Sequence, residues 1–139
     1  VKHTGVNRTI NREKYHIDCL ENELSKQGSL AKSVFDSYKR LISIRINEEA
    51  FNPFGKFNFL DMGEKIFAID NVCAKGVERI IAIHNFSNEE VICILPKNIK
   101  LPLYDILSTN YGVLSQEENE QKREFKLAPY QIMWLKGTI

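Results

Sequence analysis

The chain has 139 residues, a length that suits one compact domain with an attached segment and is too short for a complete eight-stranded barrel enzyme. Its 19 basic and 18 acidic residues leave a formal net charge of +1, so charge gives no argument for a nucleic acid or an acidic membrane as the partner. A hydrophobic content of 43% excludes a disordered chain. No apolar run is long enough for a transmembrane helix and no signal peptide is visible, so we expect a soluble, cytoplasmic protein.

The chain opens on Val1 rather than on a methionine, and we therefore expect it to be a piece of a longer polypeptide. Its three cysteines, Cys19, Cys73 and Cys93, stand at wide spacings without a C-x-x-C pair. No histidine is placed to complete a zinc site with them. We expect reduced thiols, no bound metal and no cofactor.

The first seventeen residues are polar and have no apolar period, which predicts a loop. Asp18 is predicted to cap a short helix, with Glu21 in capping-box spacing and Gly28 ending it. Ser29 is predicted to cap a second helix, Ser29–Ile46. Large apolar side chains recur along that helix at spacings of three and four: Leu30, Val34, Phe35, Tyr38, Leu41 and Ile42. This stripe needs a partner, and we expect the helix to fold onto the following domain or to pair with a second copy.

After residue 52 the sequence changes to short β-rich runs separated by turn residues. The predicted strands are 57–62, 65–72, 78–86, 91–95, 101–107 and 124–135. They are expected to form antiparallel hairpins and a β-sandwich, with the charged stretch 115–123 as a solvated loop. Alternation along the strands predicts that Phe57, Phe59, Tyr130 and Trp134 fill the core, which leaves Tyr104 and Tyr111 as the exposed aromatic pair.

No catalytic residue is predicted. The acidic side chains fall on helix faces or in the charged loop, and none forms the facing pair of carboxylates that a glycosidase needs. His3 and His16 lie in the polar opening segment, and His84 lies inside a predicted strand, where a packing role is the usual one. Neither a dinucleotide-binding glycine motif nor a phosphate-binding loop is present.

The opening loop carries more side chains capable of binding than a connector needs. Arg8 and Arg12 are four residues apart, with Asn7, Asn11 and Tyr15 beside them. Planar guanidinium and amide groups can bind sugar hydroxyls, a carboxylate or a phosphate. The residues alone leave two interpretations open, a solvated loop and a polar binding loop.

Several short motifs follow one another from this loop to the last predicted strand. They are Gly5-Val6-Asn7-Arg8-Thr9-Ile10-Asn11-Arg12, Ser29-Leu30, Lys39-Arg40-Leu41-Ile42-Ser43-Ile44-Arg45, Ala50-Phe51, Leu60-Asp61-Met62-Gly63, His84-Asn85-Phe86-Ser87 and Leu127-Ala128-Pro129-Tyr130-Gln131-Ile132-Met133-Trp134-Leu135. In this order the motifs resemble the sucrose phosphorylase-like branch of the α-amylase superfamily of glycoside hydrolases. The resemblance covers nearly the whole chain.

This resemblance implies a fold and a domain division. Residues 1–50 correspond to the end of a catalytic (β/α)8 barrel, namely the loop after its eighth strand and its last helix. Residues 51–139 correspond to the antiparallel β-sandwich that follows the barrel in the family. The fold class is thus mainly β with an N-terminal helical arm. The three catalytic carboxylates of the family lie on earlier barrel strands, so the resemblance implies that this chain is not catalytic by itself.

The resemblance also implies one substrate-binding residue. Arg8 matches an arginine that holds the glucosyl unit in the donor subsite. Asn11 and Arg12 match the same motif, and for them two roles stay open, substrate binding and ordering of the loop. Well-known sucrose phosphorylases read Gly-Arg-Asp-Ile-Asn-Arg where this chain has residues 7–12. The donor therefore stays open among sucrose, sucrose 6-phosphate and glucosylglycerate.

Two functional hypotheses follow. In the first, the chain is the carboxy-terminal portion of a glycoside phosphorylase or hydrolase that transfers a glucosyl unit from an α-glucoside to phosphate with retention. Its partners are then the upstream barrel of the same polypeptide, the sugar and phosphate, with a homodimer as a further option. In the second, the chain is a stand-alone, non-catalytic β-sandwich that binds carbohydrate or another protein. Such modules usually expose a row of aromatic side chains.

Overall fold

The computed structural model describes residues 14, 16–108, 113–114 and 123–139. The chain divides into two compact units, the first ending at Ile42 and the second spanning Ser43–Ile139. No helix among the described residues combines the length and the apolar character that crossing a membrane requires. The predicted loop over residues 115–123 lies outside the described residues except for Arg123.

Helix α1 spans Ile17–Ser25, and its start differs from the prediction. His16 is the N-cap residue, and no side chain caps the helix. The backbone N–H of Leu20 donates to the carbonyl of His16 at 3.1 Å, so the helical ladder begins two residues before the predicted cap. Asp18 therefore lies in the first turn, where its charge favours the helix dipole, and the predicted capping box is wrong.

Helix α2 spans Leu30–Ile46, as predicted. The Ser29 hydroxyl accepts a hydrogen bond from the backbone N–H of Lys32 at 3.1 Å, which is the predicted N-cap. Gly28 precedes it with a φ of +77°, a conformation that glycine adopts without strain. Most of the predicted apolar stripe is exposed, namely Leu30, Val34, Phe35, Tyr38 and Ile42.

The second unit is an antiparallel β-sandwich, as expected. A short 3₁₀ helix, Glu49–Phe51, leads into it. Its strands are β1 (Lys56–Leu60), β2 (Ile66–Val72), β3 (Glu78–Asn85), β4 (Val91–Ile94), β5 (Leu103–Asp105), β6 (Val113–Leu114), β7 (Glu124–Leu127) and β8 (Ile132–Thr138). A six-stranded sheet has the order β1-β2-β3-β8-β5-β6, and β4 pairs with β7 in a second sheet.

Two strand predictions need correction. The predicted strand 124–135 is two strands, β7 and β8, which belong to different sheets. Pro129 has no N–H to donate to a strand ladder, and Tyr130 has a φ of 57°, so the chain turns between them. The expected hairpin between the third and fourth strands is also absent, because β3 pairs with β8 and β4 pairs with β7.

The core lies between the two sheets. Alternate residues of β2 and β3, such as Ala68, Ile81 and Ile83, point from the larger sheet towards Cys93 and Leu127 of the smaller one. Ile81, Ile83 and Leu127 are fully buried. Each such aliphatic side chain contributes roughly 1.5–3 kcal/mol when it leaves water. We call the face of the larger sheet that meets this core its inner face, and the opposite face its outer face.

Candidate functional site

The substrate-binding residues implied by the resemblance, Arg8, Asn11 and Arg12, lie outside the described residues. The site must therefore be sought elsewhere in the part of the chain that the structure describes. Three kinds of feature could carry a function there: carboxylates, histidine or cysteine groups, and exposed surfaces.

Asp70 and Asp105 are buried carboxylates, and both have structural partners. Asp70 accepts a hydrogen bond from the Arg79 guanidinium at 3.0 Å, in an ion pair that is itself buried. Burial raises the pKa of Asp70, and the opposing effect of Arg79 does not cancel it. Asp105 accepts hydrogen bonds from the backbone N–H groups of Leu107 at 3.1 Å and Trp134 at 3.2 Å. It orders the turn that ends β5.

These two carboxylates cannot act as a glycosidase pair. Asp70 is on β2 and Asp105 is on β5, three strand positions apart in the sheet. At about 4.8 Å per strand this is roughly 14 Å, whereas a retaining pair needs about 5 to 5.5 Å. Two exposed carboxylates of the helices form solvated ion pairs instead, Glu23 with Lys26 at 2.6 Å and Asp36 with Lys32 at 3.1 Å.

The histidine and cysteine side chains offer no metal site either. Over the described ranges, no three His, Cys, Asp or Glu side chains come together in a group that could hold a metal ion. Cys19 is exposed, Cys73 and Cys93 are buried, and all three are free thiols.

Four phenylalanines and one histidine form an exposed cluster on the outer face of the larger sheet. This cluster, the aromatic face, consists of Phe57 and Phe59 on β1, Phe67 on β2, His84 on β3 and Phe86 directly after β3. The exposed fractions of the four phenylalanines are 62%, 67%, 43% and 70% in chain order. Neighbouring ring centroids are 5.9 to 6.2 Å apart, so the rings form one connected patch.

The strand register assembles this patch. Phe67 lies opposite His84 in the β2–β3 pair, and Phe59 lies opposite Ile69, two residues further along β2. Side chains two residues apart on a strand share a face, so Phe57, Phe59 and Phe67 all point outward. Partial burial among these rings lowers the pKa of His84.

The aromatic face contradicts part of the sequence prediction. Phe57 and Phe59 are exposed rather than in the core, and Tyr130 is exposed in a turn. Alternation showed that the two phenylalanines share a face, but it did not show which face meets the smaller sheet. The signal that could have found them is Leu60, which has the opposite parity on β1 and packs against the core.

The predictions for the remaining aromatic residues, Trp134, Tyr104 and Tyr111, have separate outcomes. Trp134 is buried, as predicted, although it lies on the outer face beside Phe51. Tyr104 is exposed, as predicted. Tyr111 lies outside the described residues. Among the described residues, Phe54, Tyr104 and Tyr130 are thus exposed at separate places, and only the aromatic face brings several exposed rings together.

Another part of the outer face is covered by the segment that leads into the sandwich. Ala50 is only 2% exposed, and the ring centroids of Phe51 and Trp134 are 4.7 Å apart. The Lys136 ammonium group donates to the Glu48 carboxylate at 2.6 Å. Burial works against the charged form of Lys136, yet its hydrogen bonds to Glu48 and Glu78 raise its pKa. One outer face thus has a covered part and an open, aromatic part.

A shallow cleft of about 390 Å³ lies beside the covered part. Its polar lining groups are engaged in structural contacts. The Arg45 guanidinium lies 5.0 Å from the centroid of the Phe51 ring, and the Asn47 amide donates to the carbonyl of Ser43 at 2.8 Å. The cleft therefore supports packing rather than chemistry, and the aromatic face is the candidate functional surface.

Comparisons with known proteins identify relatives that are sugar enzymes. Glucosylglycerate phosphorylase of Spirochaeta thermophila is 29% identical over 97% of this chain and 24% of its own length. Glucosylglycerate phosphorylase of Escherichia coli K12 is 29% identical over 98% of this chain and 22% of its own length. Oligo-1,6-glucosidase of Bacillus cereus is 36% identical over 75% of this chain and 18% of its own length. The chain thus spans about a quarter or less of the relatives it matches.

Solved structures agree with these relatives on the fold. A trehalulose synthase matches with a TM-score of 0.61 at 20% identity, over 84% of this chain and 19% of its own. The trehalose-6-phosphate hydrolase of Bacillus licheniformis matches with a TM-score of 0.56 at 24% identity, over 84% of this chain and 20% of its own. No known family profile matches the chain.

Proposed function

The chain is related to phosphorylases and glucosidases of the α-amylase superfamily, and we propose that it is the carboxy-terminal, non-catalytic portion of a glucosyl-transferring enzyme. Its β-sandwich supports the catalytic barrel of the same polypeptide. The observation that carries this proposal is coverage: relatives align with 97% and 98% of this chain but with only 24% and 22% of their own lengths.

The parent reaction is the transfer of a glucosyl unit from an α-glucoside to phosphate with retention. A carboxylate of the barrel would displace the leaving group to form a glucosyl ester, and a phosphate oxygen would then displace that carboxylate. Two of the relatives are glucosylglycerate phosphorylases, so glucosylglycerate is the first donor to test. Sucrose and sucrose 6-phosphate follow it.

Within this chain, Arg8 is the residue that we propose for substrate binding. A guanidinium group can hold a carboxylate and a sugar hydroxyl together through two parallel hydrogen bonds, and a lysine cannot reproduce that geometry. Small errors in the placement of a bound substrate cost about a hundredfold in rate. Asn11 and Arg12 would order the loop around it.

The test is an assay of the full-length protein for phosphate-dependent release of glucose 1-phosphate from the three donors. We expect release from one of them, and about a hundredfold loss of kcat/KM in Arg8→Lys. Lys14→Gln, on an exposed residue of the same segment, is the matched control and should stay close to the unsubstituted enzyme. Hydrolysis without phosphate dependence would instead indicate a plain α-glucosidase.

A second candidate function is favoured by the aromatic face itself. Carbohydrate-binding β-sandwiches expose aromatic rings for sugars to stack on, and this sheet exposes four phenylalanines. Titration of the 139-residue chain with oligosaccharides separates the two candidates. Saturable binding that is lost in Phe59→Ser would favour the carbohydrate-binding module, and its absence would favour the supporting domain.

A further inference from the structure

We propose that two copies of this chain pair through their β1 strands, antiparallel and about a two-fold axis at Asn58. Strand β1 is at one edge of the larger sheet, so the pairing joins two six-stranded sheets side by side. This contact lies within the second unit of the chain and does not depend on the reaction of the parent enzyme.

Strand β1 is an open and poorly protected edge. It has five residues, against four in β4, four in β7 and two in β6, which are the other edge strands among the described residues. Residues 56–59 are all exposed. Proteins usually block the pairing of such an edge with proline or with charged side chains. β1 contains no proline, and its one charged residue, Lys56, is at its start.

Strand β4 is a further exposed apolar edge, but charged side chains surround it. The exposed Ile92 and Ile94 stand opposite Lys126 and Glu124 on β7. Lys126 also forms an ion pair at 2.7 Å with Glu90, directly before β4. Charges beside an edge oppose its pairing with another chain. Strand β1 is flanked by the aromatic face instead, which makes it the better candidate for pairing.

The hydrogen-bond pattern of the sheet shows which backbone groups of β1 are free. The N–H of Phe86 donates to the carbonyl of Lys65 at 2.9 Å, so odd-numbered residues along β2 bond to β3 and even-numbered ones bond to β1. Opposing residues of β1 and β2 are both even or both odd. Asn58 therefore bonds to β2, whereas Phe57 and Phe59 direct their N–H and C=O groups to the open edge.

These free groups match a second copy of the same strand. The sequence Phe57-Asn58-Phe59 is the same in both directions, so a two-fold axis at Asn58 places Phe57 of one copy opposite Phe59 of the other. All the free groups of both residues then pair across the axis. A register with Phe57 opposite its own copy would leave Phe59 opposite Gly55. The Gly55 N–H already donates to the carbonyl of Asn52 at 2.9 Å.

Charge favours the antiparallel arrangement, and exposed area indicates a weak dimer. Lys56 begins β1 and Asp61 directly follows it, so antiparallel strands bring opposite charges together and parallel strands bring like charges together. Phe57 and Phe59 are 62% and 67% exposed. At about 200 Å² per side chain, the four rings of a pair supply at most about 500 Å², against roughly 1,200 Å² in the smallest standard interfaces. We therefore expect a dissociation constant of about 0.1 mM.

Two double variants test both the strand and the register. Phe57→Lys with Phe59→Lys places four ammonium groups side by side across the pair, and sedimentation equilibrium should show dimerisation at least about tenfold weaker. Phe57→Lys with Phe59→Glu places each lysine opposite a glutamate of the other copy, so the dissociation constant should stay within about tenfold of the unsubstituted value. All substituted side chains are exposed, so the urea midpoint of the dilute chain should be nearly unchanged in both.

Ile94→Lys is the matched control, because Ile94 is 63% exposed on β4 of the other sheet. Its dissociation constant should stay within about twofold of the unsubstituted value. Amide hydrogen exchange gives an independent measurement: the N–H groups of Phe57 and Phe59 should exchange more slowly as the concentration rises, whereas that of Asn58 should not change. A chain that stays monomeric up to about 1 mM would overturn the proposed pair. Equal loss of dimerisation in the two double variants would overturn it as well.

Other contacts predict different results. A dimer formed by α2 would persist in Phe57→Lys with Phe59→Lys and be lost in Val34→Lys, because Val34 is an exposed residue of the apolar stripe. An oligosaccharide on the aromatic face would bind saturably to a chain that stays monomeric. Either result contradicts pairing through β1. The phosphorolysis assay plays no part in these measurements, so the proposed function and the proposed pairing can fail independently.

Discussion

The two faces of the six-stranded sheet are both apolar, but they differ in what covers them. On β3, Ile81 and Ile83 point to the inner face and Ile80 and Ala82 to the outer face, and all four are buried. The smaller sheet covers the inner face, whereas the 3₁₀ helix covers only part of the outer one. Strands that are apolar on both sides are typical of sheets covered on both sides. In the part of the chain that the structure describes, the inner face is therefore covered, whereas the aromatic face is open.

The largest difference in stability is expected when one partner of the buried ion pair between Asp70 and Arg79, at one end of the inner face, is removed. Arg79→Met would leave the Asp70 carboxylate buried without a counter-charge, and we expect it to lower the free energy of unfolding by about 3–5 kcal/mol. The double variant Asp70→Leu, Arg79→Met should recover most of that loss. Urea unfolding of the isolated chain measures both.

The double variant is also the control for this prediction. One oxygen of Asp70 and the Nε of Arg79 lack hydrogen-bond partners, so the pair carries a desolvation cost that its single hydrogen bond only partly offsets. A double variant as unstable as Arg79→Met would mean that the pair itself, rather than the isolated charge, stabilises this end of the sheet.

A second prediction compares the two faces directly. Ile83→Ala removes a fully buried side chain from the inner core and should cost about 2–5 kcal/mol. Phe59→Ala removes a larger side chain from the aromatic face and should change the stability of the isolated chain by no more than about 0.5 kcal/mol. Similar losses in the two variants, measured by urea unfolding, would show that the aromatic face is packed within this chain.

Much of this fold follows from the sequence. The spacing of apolar residues and Ser29 as the cap predict α2, and turn residues separate the strands correctly up to β4. Pro129 is a local signal for the break between β7 and β8, but their assignment to different sheets depends on contacts far apart in the chain, which the sequence pattern does not show. Alternation with a period of two shows which side chains share a face of the sheet, but it does not show which of the two faces is buried.

The candidate site was less predictable for the same reason. Phe57 and Phe59 have the residue type and spacing of core positions, and only the register with β2 shows that they face away from the smaller sheet. Whether such side chains are buried depends on what covers their face of the sheet, and the local sequence does not contain that information. The inner core needed no such information, because Ile81 and Ile83 are buried by elements of this chain.

A smaller effect concerns pH and the aromatic face. Burial lowers the pKa of His84 in the folded chain below its unfolded value of about 6.5, so the unfolded chain binds the proton more readily. The neutral His84 side chain therefore contributes its full stabilisation above the unfolded pKa of about 6.5, and this stabilisation is lost as the pH falls below 6.5. Urea midpoints between pH 8 and pH 5 should fall more for the unsubstituted chain than for His84→Gln. Parallel profiles for the two chains would contradict this.

The last prediction concerns thiol labelling, whose rate distinguishes the two faces of the larger sheet. Cys19 is exposed and should react at once with an aromatic disulfide reagent, whereas Cys73 and Cys93 are buried and should react only as the chain opens. Burial also raises the pKa of Cys93, which further reduces its reactive thiolate. In a background with Cys19→Ser and Cys73→Ser, the remaining labelling reports on Cys93 in the inner core alone.

In that background, Ile83→Ala should accelerate labelling of Cys93, because both side chains belong to the inner core. A loss of about 2 kcal/mol corresponds to roughly thirtyfold in the population of the open form, since 1.4 kcal/mol is tenfold. Phe59→Ala should leave the labelling rate unchanged within about twofold, because its ring lies on the other side of the sheet. If both substitutions accelerate labelling equally, the two faces open together, and the aromatic face is then part of the same cooperative core rather than an independent surface.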